Sequence, residues 1–132
     1  MFGNKKQPPI KSLIAQGTRI EGHVLFHDGL RIDGDVVGDI KASDDQRSIL
    51  VVSEAASVTG QIQADHVIIN GTVKGPVQAF ELLELQPKAR IEGDVPYKAL
   101  EMHQGATIAG QLKPMVGAAE DKPTLKLAAN NS

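Results

Sequence analysis

The stretch "ARIEGDV", Ala89 to Val95, decides how this chain is read. Apolar Ala89, Ile91 and Val95 alternate with charged Arg90, Glu92 and Asp94, and a glycine sits at position 93. Alternation with a period of two marks a short strand with one face inward. The chain says nearly the same thing at Leu30 to Val36, "LRIDGDV". The general form is Ile/Val-x-Gly-x-Val/Ile/Leu. It occurs at Ile20–Val24, Ile32–Val36, Val58–Ile62, Ile69–Val73, Ile91–Val95 and Ile108–Leu112. Internal repetition on this scale points to a solenoid, in which each unit buries its apolar face only against the next.

The repeat extends upstream of the phrase. Eight residues before the glycine stands an apolar residue in five of these copies: Ile14, Phe26, Val52, Leu85 and Met102. Gln63 is the exception. Turn chemistry follows at Gln16-Gly17, Asp28-Gly29, Pro87-Lys88 and Gln104-Gly105, because Gly accepts positive φ and Pro presets φ. The last two glycines of the phrase lie 17 residues apart, and the other spacings are 11, 12, 22 and 26. One coil therefore carries the phrase on more than one side. These spacings predict an all-β solenoid of about six coils over 14–114. Each coil has about 16–18 residues and three short strands. "LRIDGDV" is then the counterpart of "ARIEGDV" some four coils away. A glycine inside a strand is otherwise unfavourable, so here it predicts a corner with close backbone approach.

Composition agrees. Ile, Val and Leu occur eleven times each, against three Phe, one Tyr and no Trp. The core is aliphatic and β-branched, which suits strands. The absence of Cys excludes disulfides, thiolate zinc sites and Cys nucleophiles. A net charge of −2 gives no general attraction to nucleic acid. No apolar run is long enough for a signal peptide or a membrane-spanning helix, so the expected location is cytoplasmic.

The search for chemistry returns no catalytic, cofactor or metal residue. His23, His27, His66 and His103 read as solvated turn histidines. Asp33, Asp35, Asp39, Asp44 and Asp45 read as a solvated acidic face without a calcium-loop pattern. No phosphate-cradling motif is present, so a polymer of this chain would need no nucleotide. The ends differ from the middle. Residues 1–13 carry Lys5, Lys6 and Lys11 with Pro8-Pro9 and no acid, a flexible basic tail. Residues 115–132 read as a disordered tail with a weak "LKL" at Leu125–Leu127. Neither end shows a capping helix, and uncapped coils leave open strand edges on which another molecule can stack.

The repeated Ile-x-Gly-x-Val, the coils "ARIEGDV" and "ATIAGQL", a core of about 100 residues and an N-terminal Met-Phe with early lysines together resemble the bactofilin family. The resemblance implies a right-handed β-helix with disordered tails and a bacterial cytoskeletal scaffold. It implies non-polar filaments that form without nucleotide through the terminal coils. It implies peripheral attachment to the inner face of the cytoplasmic membrane through Met1, Phe2, Lys5 and Lys6, and recruitment of cell-wall or polarity proteins that act in cell shape. Family members often carry an aromatic residue near the end of the core. This chain has no Phe after Phe80, so Tyr97, Met102 or Leu112 takes that place. The expected polymer interface is Ile14, Ile20 and Val24 at one end. At the other it is Tyr97, Leu100, Met102, Ile108 and Leu112. The competing class is a trimeric left-handed β-helix acyltransferase of the hexapeptide type. That fold needs unbroken hexads, whereas this phrase recurs at 11 to 26 residues.

Overall fold

Short strands separated by tight corners wind the chain into six stacked coils. The computed structural model describes residues 9–43 and 47–115, and the backbone of 124–127. The first coil holds β1 (Ile10–Ile14), β2 (Arg19–Glu21) and β3 (Val24–Phe26). The second holds β4 (Gly29–Ile32), β5 (Asp35–Val37) and β6 (Ile40–Ala42). The third holds β7 (Ile49–Val52), β8 (Ser57–Thr59) and the start of β9 (Ile62–Ile69). The fourth runs from the end of β9 through β10 (Thr72–Lys74) to the start of β11 (Val77–Leu85). The fifth takes the end of β11, β12 (Arg90–Glu92) and β13 (Val95–Tyr97). The sixth is β14 (Ala99–Met102), β15 (Thr107–Ala109) and β16 (Leu112–Pro114). β17 (Thr124–Leu127) begins a seventh. No helix occurs among the described residues.

All pairings are parallel and join corresponding strands of successive coils. The solenoid thus has three faces. The second face is a six-stranded sheet, β2-β5-β8-β10-β12-β15. The first and third merge into one eleven-stranded sheet, because β9 and β11 run unbroken around the corner between them.

The core is a set of columns fixed by register. On the first face Ile14, Ile32, Val52, Ile69, Leu85 and Met102 stack, beside Leu30, Leu50, Val67, Leu83 and Leu100. On the second stand Ile20, Val36, Val58, Val73, Ile91 and Ile108. On the third, Ile40, Ile62 and Val77 follow Val24, while Ala42, Ala64 and Ala79 lie between Phe26 and Tyr97. The interior members of these columns are buried. In "ARIEGDV" Ala89, Ile91 and Val95 are buried while Arg90 and Glu92 are exposed, as the alternation predicts.

The two quoted phrases are not counterparts, however. Ile32 belongs to the first face, and the residue level with Ile91 is Val36, three coils away. The phrase overlaps itself. Val36 closes one copy and opens another, Val36-Val-Gly38-Asp-Ile40, and Val73 does the same for Val73-Lys-Gly75-Pro-Val77. With those two copies, each coil has one phrase at one corner: Gly22, Gly38, Gly60, Gly75, Gly93 and Gly110, all at φ between +138° and +159°. Successive steps are 16, 22, 15, 18 and 17 residues. The long step is the connection between Ala42 and Ile49, which leaves the registers Leu30↔Leu50 and Ile40↔Ile62 intact.

That corner is as narrow as a backbone. A Cβ at Gly60 would come within 3.0 Å of the Gly38 carbonyl, and each later glycine of the series meets its predecessor in the same way. The N–H of each glycine donates to the carbonyl just before the next, for example Gly38 N to Thr59 O at 2.8 Å and Gly60 N to Lys74 O at 2.9 Å. Gly34 and Gly71 serve the other corner of the phrase. There they nest against the turns Ala15–Thr18 and Ser53–Ala56 of the preceding coil.

Gly17 also has positive φ, +93°, but no atom lies within 4 Å of the place a Cβ would take. Gly17→Ala should cost about 1 kcal/mol from backbone strain alone. Gly60→Ala should cost a further ~1–3 kcal/mol for overpacking. Urea midpoints of the two variants measure the difference; equal midpoints would remove the glycine corner as the limiting contact.

Candidate polymer interface

A parallel stack presents two ends. At the first, among the described residues, β1, β2 and β3 each pair on one side only, with β4, β5 and β6. At the second, β15 and β16 pair only with β12 and β13 among the described residues, while β14 also receives β17. The series of glycine N–H donors runs toward the second end, so Gly110 N–H points off the last coil. Unpaired parallel edges of this kind are templates for another strand.

The apolar columns end at these edges. Ile20 and Val24 at one end, and Met102 and Ile108 at the other, are half-buried and packed against the core. Leu112 is 42% exposed. Ile14, Tyr97 and Leu100 are buried within the single chain. Tyr97 sits in the fifth coil, level with Pro114 of the sixth, one coil in from the end.

Sequence reasoning missed three further apolar residues of the first coil, Ile10, Leu13 and Leu25, which are 45%, 57% and 69% exposed. Ile10 and Leu13 fell in the expected tail, but β1 begins at Ile10 and brings them onto the first rung. Leu25 lies between Val24 and Phe26 on the outward phase of β3, where an apolar side chain breaks the alternation. That break was the available signal. Met1, Phe2, Lys5 and Lys6 lie outside the described residues.

Two charge pairs between coils are exposed. Lys113 Nζ lies 3.1 Å from Asp94, and Lys88 Nζ lies 3.2 Å from Glu54. The Asp94 carboxylate also accepts the Gln111 N–H at 3.2 Å. That hydrogen bond first, then Lys113, holds Asp94 below the usual carboxylate range. Asp33 is held low by Ser53 first and then by Arg31. Asp39 accepts the Gln61 N–H at 2.9 Å, and His23 approaches it at 3.7 Å. Of the acidic stretch, Asp44 and Asp45 lie outside the described residues.

His66 departs from the expectation of four solvated turn histidines. Asp65-His66 looks like a turn, but β9 runs unbroken around the corner there, and His66 is buried level with Ile49 and Leu82. Stacking also assembles a group that no local pattern reveals. Glu84 and Glu101 stand directly in register, with His103 Nε2 3.6 Å from Glu84 Oε2. Their ligand atoms all lie within 4.8 Å of one another, close enough to hold a cation between them.

The family model for bactofilins, described as polymer-forming cytoskeletal, matches residues 12–113. The chain belongs to the bactofilin family. No curated protein and no solved structure matches it. The bactofilin match spans all six coils and both open ends, from β1 to β16. Self-association is therefore a property of the family to which this solenoid belongs, and its structural role is cytoskeletal. No helix of the described bactofilin chain is long and apolar enough to cross a membrane.

Burial first, opposed by Glu84, Glu81 and Glu101 and reinforced by Arg47, holds the His66 imidazole below its ordinary value of 6.5. The unfolded chain therefore takes up this proton at a higher pH than the folded one. The neutral form's contribution is present above that ordinary value and is lost as pH falls below it. Urea midpoints should fall between pH 7.5 and pH 5.5, and His66→Leu should lose less over the same interval; an identical loss would assign the acid sensitivity to other groups.

Proposed function

We propose that the protein is a scaffold subunit that assembles end to end into filaments through its terminal coils. The observation that carries this is the pair of open ends. Among the described residues β1, β2 and β3 at one end and β15 and β16 at the other present unpaired parallel strand edges around apolar columns, with Ile20 and Val24 at the first and Ile108 and Leu112 at the second. Stacking a second molecule there continues the same columns at the same spacing, and burying them supplies the driving force. No nucleotide takes part in this reading, since burial and strand pairing suffice. The filaments are non-polar, with like ends meeting, as the family resemblance implies.

Membrane attachment belongs to the same reading. Met1 and Phe2 enter the interface of an anionic leaflet, and Lys5 and Lys6 lie near its head groups. One such tail is weak, at about 1 kcal/mol per Lys. A filament that presents many tails gains avidity, so assembly and attachment reinforce each other. The scaffold thus lies at the inner face of the cytoplasmic membrane and localises cell-wall or polarity proteins that determine shape. Of the coil steps 16, 22, 15, 18 and 17 only one is a multiple of six, so nothing favours the acyltransferase reading.

Leu112→Arg places an unpaired charge at the end contact, and each 1.4 kcal/mol of penalty is a factor of about ten in affinity. It should raise the concentration needed for assembly about tenfold or more. Val37→Arg, on an exposed strand position in the second coil, should leave it unchanged. Electron microscopy and sedimentation read both; long filaments from Leu112→Arg at wild-type concentration would falsify the end assignment. Phe2→Arg should abolish co-sedimentation with anionic liposomes and leave filaments intact. Undiminished liposome binding would exclude the tail as the anchor.

A further inference from the structure

β17 lies on an edge that a second molecule would use. It runs parallel to β14 with Ala99↔Thr124, Leu100↔Leu125, Glu101↔Lys126 and Met102↔Leu127 in register. This is how β14 itself lies on β11, with Leu83↔Leu100 and Leu85↔Met102. The sequence "TLKL" repeats the pattern of "ALEM", with leucines at the two positions in register with Leu100 and Met102. It differs at the position in register with Glu101. Glu84 and Glu101 are like charges in register on neighbouring strands, whereas the residue in register with Glu101 on β17 is a lysine. Opposite charges directly across a strand pair stabilise it and like charges do not. A second coil of the ordinary pattern would not supply that lysine.

On the third face of the same coil, where no strand follows among the described residues, Leu112 is 42% exposed. Only one of the three edges is covered: among the described residues no strand lies on β15 or β16. The seventh coil is thus one strand of three. A strand of four residues makes few bonds, and the ordering cost of each residue is comparable with what its hydrogen bond returns. Such a strand stays removable. Its tether of eight residues, 116–123, nevertheless holds it at an effective concentration on the order of millimolar.

We infer that residues 124–127 are an internal competitor for the β14 edge, and that this segment sets the concentration at which a second copy of the chain can dock on the end formed by β14, β15 and β16. This rests on the end-to-end reading above. A second copy that uses all three edges must first displace β17. If the segment is docked in most molecules, the competent fraction is small and the apparent affinity falls by that fraction.

The test compares the full chain with a chain ending at Met115 and with the full-length double variant Leu125→Ser, Leu127→Ser. Sedimentation over a concentration series reads the assembly threshold. Both altered chains should assemble at a concentration about three- to tenfold lower than the full chain. A synthetic peptide of residues 116–132, added to the shortened chain, should raise its threshold again. An unchanged or higher threshold in both altered chains overturns the inference, the latter by showing that the segment aids assembly. A lowered threshold that the peptide does not reverse also overturns it, because tail bulk rather than the β14 edge is then responsible. Chains that fail to sediment at any concentration, shortened or not, remove the end-to-end reading itself and this inference with it.

Discussion

The fold depends on one contact: the carbonyl of a corner glycine lying where the next coil's glycine has no side chain. Parallel strands sit about 4.8 Å apart, and at this corner nothing but backbone fits between successive coils. Because Gly38, Gly60, Gly75, Gly93 and Gly110 each stand over their predecessor, the coils cannot shift along one another. That locked corner keeps Ile20, Val36, Val58, Val73, Ile91 and Ile108 in one column. Only then does a chain with almost no aromatic residues obtain a dry core. The coil may lengthen elsewhere, as it does between Ala42 and Ile49, so long as this corner holds.

Most of the fold was legible from alternation. Ile91 in and Glu92 out follow from a period of two, and the number of coils follows from a coil of about 16–18 residues repeated over 14–114. Its assignment to corners was not legible, because the phrase shares residues with itself. Val36 and Val73 end one copy and start the next, so spacing alone does not say which glycine stacks on which. Only inter-coil hydrogen bonds such as Gly22 N to Val37 O decide it. The same limit hid Glu84, Glu101 and His103. They come together only because the strands carrying them are neighbours in the stack. His66 was misjudged for a related reason, since a polar dipeptide looks like a solvated turn until one strand is seen to carry it, buried, around the corner between two faces.

The two ends were legible as a principle and only partly as residues. A solenoid without caps must end in open edges, and Ile20, Val24, Ile108 and Leu112 follow from their columns. Exposed Leu13 and Leu25 do not, because they occupy the outward phase, where alternation expects polar side chains. β17 escaped because "TLKL" is too short to signal a strand and stands outside the repeat's period. It takes its structure from the edge of β14. A terminal rung therefore templates a segment whose own propensity is weak, much as one rung templates the next.

The third face has a further consequence, in its spectroscopy. Its inner column reads Phe26, then Ala42, Ala64 and Ala79, then Tyr97. Tyr97 is the one tyrosine of a chain without tryptophan, and it is 6% exposed, one coil in from the open end. The protein thus carries a single natural chromophore of the tyrosine kind at the end where subunits would meet. Its near-ultraviolet dichroism and emission come from one position, so any change in them on assembly reports the last two coils alone.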